Sequence, residues 1–178
     1  MGVVVLLLSL LVAPGSITTV LPSGADLDIG PTLELVSESP LEAFPEETRV
    51  YRFFWLPPFE SQRTICVRVQ EAAGGPELEA KAVRAGKTYA HVKRKLTEQE
   101  WEALASAREA GFWKYQPEMF PQLIADGSYW VIERQAGGER LRLVQHEPKA
   151  GAFRSLGYLM FRLSGIKLGS REASLREQ

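Results

Sequence analysis

Few residues in this chain are of types that carry chemistry, and their spacing narrows the choice further. Asp126 and Glu133 are the carboxylates best placed to act as a pair. Asp126 precedes Gly127 at the entrance of the run "SYWVIERQ", and Glu133 lies inside that run, on the face opposite Trp130 and Ile132. A carboxylate on a sheet face serves as general acid or base when burial raises its pKa, and this pair would give a small hydrolase. The plainer reading makes Asp126 a turn former and Glu133 the cross-strand partner of an arginine. His146, before Glu147 and Pro148, is the third catalytic candidate, since an unperturbed histidine titrates near neutral pH. His91 lies beside Lys93, Arg94 and Lys95. Neither histidine has a metal-ligand partner at helical or strand spacing.

Other classes are thinly represented. Cys66 stands alone in "TICVRV", so an intrachain disulfide and a multi-cysteine zinc site are both ruled out. It reads as a small structural residue rather than a nucleophile. No glycine-rich phosphate loop, HExxH, GxSxG or paired CxxC is present. No metal and no cofactor is implied.

A basic group is more suggestive. Alternation puts Arg68, Arg140 and Arg142 on one sheet face, joined by Arg52, with Phe54 and Tyr129 nearby. An arginine-and-aromatic surface suits an anionic ligand or an acidic protein segment. Cross-strand ion pairs to Glu79 and Glu133 on a solvated face are the plainer alternative. Nucleic acid is not expected, as no RNP-type motif is present and the net charge is −1. The charge is uneven, however. Residues 1–48 hold seven acids (Asp26, Asp28, Glu34, Glu38, Glu42, Glu46, Glu47) and no Lys or Arg, which leaves the rest of the chain at +6. An acidic segment ahead of a basic body is either a solvated linker or an arm that lies on the basic face of the same molecule.

The elements that must position these residues follow from period and punctuation. "TRVYRFFWL", "RTICVRVQ", "ELEAKAVRA", "KTYAHVKRKL", "SYWVIERQ" and "ERLRLVQ" read as strands, with turns at Gly74-Gly75-Pro76, Gly86 and Gly137-Gly138. In "YRFFWLPPF", Tyr51, Phe53 and Trp55 share one face, and Arg52, Phe54 and Leu56 the other. Both faces are largely apolar, as in a central strand covered on both sides. Thr97 to Glu100 matches a capping box for a helix with Trp101, Leu104 and Ala105 on its apolar stripe. "FWKYQPEMFP" reads as an aromatic loop after Gly111. A second helix from about Lys149 to Ser164 repeats Phe153, Leu156, Met160 and Leu163 at helical spacing, with Gly165 as its cap. Strands arrive as hairpins rather than βαβ crossovers. This order predicts an α+β fold: an antiparallel sheet of about five or six strands with two helices packed on one face.

The expected organisation is a signal peptide or N-terminal anchor over 1–25, an acidic extended arm over 26–47, one α+β domain over 48–166 and a polar tail over 167–178. Val3–Val12 is an apolar run shorter than a membrane span, and Ser23-Gly24-Ala25 supplies small residues for cleavage before Asp26. The expected localisation is export, periplasmic or extracellular, or membrane anchoring through residues 3–20, with membrane contact only if that segment is uncleaved. Within the arm, Thr32–Val36 is expected as a short edge strand.

From Tyr51 to Ile166 the chain resembles a loose group of small bacterial proteins with a domain of unknown function. The resemblance lies in "FFWLPPF", "ICVRV", "LTEQEWEAL", "AGFW", "DGSYWVIE", Pro148 and "FRSLGYLMFRLSGI". The group carries His and an Arg-Trp pair in the strand before the proline, where this chain has Leu141, Gln145 and His146. The resemblance implies a bacterial single-domain protein and no particular activity. The leading expectation is therefore a non-enzymatic binding or structural module. The alternatives are a small hydrolase using Asp126 and Glu133, and a cytoplasmic protein whose N-terminus is mis-assigned.

Overall fold

The computed structural model describes residues 17–20, 27–58, 63–109 and 127–167. Its centre is a seven-stranded sheet in the order β1-β7-β6-β2-β3-β4-β5. The strands are β1 Ile17–Val20, β2 Val50–Leu56, β3 Thr64–Gln70, β4 Glu77–Arg84, β5 Lys87–Lys95, β6 Tyr129–Ala136 and β7 Glu139–His146. Helices α2 (Glu98–Glu109) and α3 (Gly151–Ser164) lie on one face, and the short helix α1 (Gly30–Val36) on the other. The fold is α+β, with six antiparallel strands from β2 to β7 and helices packed against them.

The helix-side core grows from alternation along each strand. Phe53, Trp55, Ile65, Val67, Leu78, Ala80, Trp130, Ile132 and Leu143 point the same way and meet Leu104, Phe153, Leu156 and Met160. The ring of Phe53 meets that of Trp130 edge-on, with centroids 5.2 Å apart. Gly157 lets α3 settle onto these rings, for a Cβ there would come within 2.9 Å of both. The capping box at Thr97 forms as expected: Thr97 N donates to Glu100 Oε2 at 2.9 Å, and Glu100 N to Thr97 Oγ1 at 3.2 Å. Gly165 takes φ 67° after α3.

The opposite face is closed too. Phe54, Cys66, Val83, Val131 and Val144 form a second buried cluster with Ile29, Leu33 and Val36. The chain from 27 to 47 is thus a packed element rather than a wholly extended arm, and Thr32–Val36 is helical, not an edge strand. The local signal for helix is weak. Pro31 supplies the fixed φ that suits a first turn, and Asp28 Oδ1 accepts from Gly30 N at 2.8 Å. Seven residues cannot hold a helix alone. The docking of Leu33 and Val36 on the sheet supplies the rest.

The N-terminal anchor also needs correction. Ile17–Val20 is a strand, parallel to β7, with Ile17 opposite Arg140 and Val20 opposite Leu143. Backbone committed to a sheet ladder is not the end of a spanning helix over 3–20. Among the described residues, no helix is long and apolar enough to cross a membrane. The cleavage site at 23–25, the loop "FWKYQPEMFP", Gly111 and the tail beyond Lys167 lie outside the described residues.

Candidate functional site

Sheet register brings the charged candidates into a single row. On the face away from α2 and α3, Arg142, Glu133, Arg52, Arg68, Glu79 and Lys93 stand opposite one another in turn across β7, β6, β2, β3, β4 and β5. Signs alternate along the row except at its centre, where Arg52 and Arg68 are direct neighbours. Like charges at opposed positions repel, and the repulsion grows as water is removed.

Glu38 resolves that repulsion. Helix α1 ends on Ser37 in the left-handed region (φ 51°), and Glu38 N donates back to Leu33 O at 2.9 Å. This Schellman turn leads the chain down towards the row. Glu38 Oε2 then lies 3.2 Å from Arg68 Nε and 3.8 Å from Arg52 Nη1, while Oε1 accepts from Lys81 Nζ at 2.9 Å. The backbone joins in: Ser37 O accepts from Lys81 Nζ at 2.9 Å, and Ser39 O from Arg52 Nη1 at 2.5 Å. Further along, Gln135 Nε2 donates to Pro45 O at 2.6 Å while its Oε1 accepts from Arg140 Nε at 2.8 Å. The acidic arm lies on the basic face of its own molecule.

The carboxylate proposed for catalysis is enclosed within the row. Glu133 is fully buried. Its Oε2 accepts from Arg52 Nε at 2.7 Å and its Oε1 from Arg142 Nε at 2.8 Å. Arg52 Nη2 and Arg68 Nε close on carboxylates at 2.5 and 3.2 Å without hydrogen-bond alignment, so they are held by charge. Two arginines occupy both oxygens of Glu133, and the side chain is closed to solvent. Arg52 also lies over the Phe54 ring, 5.1 Å from its centroid. Arg140 is buried and Arg142 half-buried; Arg140 Nε donates to Gln135 Oε1 and Arg142 Nε to Glu133 Oε1.

The row continues towards solvent at β4. Arg68 Nη2 pairs with Glu79 Oε2, and His91 Nε2 lies 2.9 Å from Glu79 Oε1. Partial burial pushes the Glu79 carboxyl up, but the His91 hydrogen bond and the Arg68 and Lys81 charges together hold it below its ordinary value. A surface depression here is lined by Arg68, Gln70, Glu77, Glu79 and Lys93, a lining that mixes both signs.

The remaining candidates do not converge on Glu133. His146 meets Tyr129 edge-on, with ring centroids 5.0 Å apart, and lies over the backbone of Gly127. A Cβ at Gly127 would fall 2.4 Å from His146 Nε2, and the φ of 97° at this position favours glycine. Asp126 lies outside the described residues. Burial drives the Cys66 thiol strongly up, and the charge of Glu38 adds to the effect, so the thiolate form is suppressed. Among the described residues, no group of three or more His, Cys, Asp or Glu is placed to hold a metal.

Sequence reasoning missed Glu38, Lys81 and Gln135 as members of this network. The charge asymmetry between residues 1–48 and the body was the available signal, and it pointed to the arm but not to the residue. Neither the scan of protein-family models nor the searches of curated proteins and solved structures found a match to the chain.

Proposed function

We propose that this chain is a non-enzymatic binding or structural module whose basic sheet face carries its own acidic arm as a built-in counter-anion. The single observation behind this reading is Glu38, which serves Arg52, Arg68 and Lys81 at once from a position almost closed to solvent. An arm that supplies the missing negative charge of a row is part of the body's architecture. The hydrolase alternative draws little support from Glu133. General acid or base work needs an oxygen that meets substrate, and both Glu133 oxygens are bound to arginine.

The test pairs two measurements on the intact chain. Wild type, Glu133→Gln and Gly157→Ala are assayed against ester, phosphoester, glycoside and peptide substrates. Wild type is also screened by thermal shift against anionic small molecules. The expected outcome is a ligand-dependent rise in Tm with no turnover. Turnover lost in Glu133→Gln but kept in Gly157→Ala would overturn the reading, since the second variant controls for destabilisation.

A further inference from the structure

Alternation along β4 and β5 sets Glu77 against Lys95 and Glu79 against Lys93. Opposite charges at opposed positions of a sheet attract and commonly pair. Here neither pair forms. Lys95 Nζ turns away and donates to Gly74 O at 2.9 Å. Glu79 gives Oε2 to Arg68 Nη2, and its Oε1 lies 2.9 Å from His91 Nε2. Among the described residues, Glu77 is left as an anion without a counter-cation, and Lys93 as a cation without a counter-anion.

The two unpaired charges share one depression. It is lined by Arg68, Gln70, Glu77, Glu79 and Lys93, opens to solvent and holds about 210 Å³ of empty space. Cavities for drug-sized ligands run to roughly 300–1,000 Å³, so this one suits a molecule of a few heavy atoms. Glu77 and Lys93 are diagonal neighbours in the ladder, a separation of roughly 7–8 Å along the sheet. The floor between them is fixed. Arg68 Nη1 donates to Gln70 Oε1 at 2.7 Å, and Arg68 Nε lies 3.2 Å from Glu38 Oε2. The same bond orients the Gln70 amide, whose nitrogen has no acceptor among the described residues. A preformed floor costs a ligand little ordering.

The balance of charge selects the class of ligand. Glu77 and Glu79 offset Arg68 and Lys93, so the lining has both signs and no net charge. A plain anion is attracted by Lys93 and repelled by Glu77; a plain cation meets the reverse. A small molecule that carries both charges gains at both ends. An α-amino acid holds its ammonium and carboxylate groups on a single carbon, and it bridges the diagonal with a charge-assisted hydrogen bond at each end.

We infer that Glu77, Lys93 and Gln70 form a binding site for a free α-amino acid at the open end of the charged row. Glu77 accepts from the ammonium group, and Lys93 and the Gln70 amide donate to the carboxylate. Arg68 and Glu79 stay paired beneath the ligand. The inference deepens the binding reading above and rests on it: the ligand keeps an anionic carboxylate and adds an ammonium group.

The test titrates the intact chain with L-alanine and follows the backbone amides by heteronuclear NMR, while the resonances of L-alanine itself are recorded. N-acetyl-L-alanine, which lacks the ammonium group, and L-alaninamide, which lacks the carboxylate, are the single-charge comparisons. The proteins are wild type, Glu77→Gln, Lys93→Gln and the remote surface control Lys149→Gln. Saturable shifts centred on β3, β4 and β5 are expected, with binding weakened about fivefold in Glu77→Gln and in Lys93→Gln and unchanged in Lys149→Gln. Both analogues should bind more weakly than L-alanine. Glu77 is half-buried and Lys93 exposed, so both variants fold, which their unshifted amides elsewhere will verify. Absence of a saturable shift, equal binding by either site variant, or equal binding of either analogue overturns the site. Conversion of L-alanine that Glu133→Gln abolishes and Gly157→Ala retains would instead overturn the module reading and leave the site standing.

Discussion

Arg52 donates its Nε to Glu133 Oε2 at 2.7 Å, and neither side chain meets solvent. The two residues are 81 positions apart in the chain and directly opposite in the sheet. A buried pair of this kind need not stabilise the fold more than a well-packed apolar pair would, but it is costly to break on one side. Arg52→Met is therefore expected to lower stability by roughly 3–5 kcal/mol, because Glu133 and Glu38 lose a buried counter-charge. The double variant Arg52→Met/Glu133→Leu is expected to lose less than the two single variants combined. Urea unfolding of the four proteins gives the coupling; strict additivity would remove the pair from its central role.

Glu38 makes a second expectation specific. Glu38→Gln keeps the shape and removes the charge that separates Arg52 from Arg68. A loss of about 1–3 kcal/mol is expected, the cost of leaving buried donors poorly satisfied. The effect should be local first. Hydrogen exchange should rise at Leu33 and Glu38, whose amides close α1, before it rises in β2 or β3. Uniform acceleration across the sheet would show that the arm has no separable stability.

Gly157 tests packing on the other face. Alanine is about 1 kcal/mol better than glycine inside a helix. Here its Cβ would sit 2.9 Å from Phe53 Cε2 and from Trp130 Cε3, both in fully buried rings. Overpacking costs about 1–3 kcal/mol, so Gly157→Ala is expected to lower Tm despite its better propensity. A rise in Tm would mean that α3 can lift off the sheet without loss.

Acid should act through Glu100. The Arg94 side-chain hydrogen bonds, followed by the Thr97 amide, lower its carboxyl from 4.5 to about 2. A group with a depressed folded pKa binds fewer protons in the folded than in the unfolded chain. Its contribution is complete above about pH 4.5 and is lost as pH falls towards 2. Glu79, also held below its ordinary value, acts in the same direction. Thermal unfolding at a series of pH values should therefore show Tm falling through this window. Glu100→Gln should flatten the fall and lower the plateau. An unchanged slope in that variant would assign the acid sensitivity to other carboxylates.

The helix signals legible in the sequence are those that act over a few residues. The Thr97–Glu100 box and the stripe Phe153, Leu156, Met160 need only their neighbours, and the structure forms them as read. Alternation was equally local, so the six antiparallel strands and the two faces of β2 could be placed from sequence. The candidate row was half legible for the same reason. Alternation put Arg52, Arg68, Arg140, Arg142 and Glu133 on a common face, and the charge imbalance pointed to the acidic arm as its cover.

Tertiary structure decided the rest. Register alone made Arg52 and Arg68 neighbours and left a gap that Glu38 fills, for nothing in either strand specifies which residue stands opposite. Helix α1 exists because Leu33 and Val36 find an apolar surface made by five separate strands, a reward that no window of seven residues contains. The strand Ile17–Val20 likewise depends on the edge that β7 offers. Tyr89 reads from sequence as one more member of an alternating strand. The bulge that turns it out to meet Arg63, Arg84 and Lys87 arises only where β5 is one residue longer than the partner it must match.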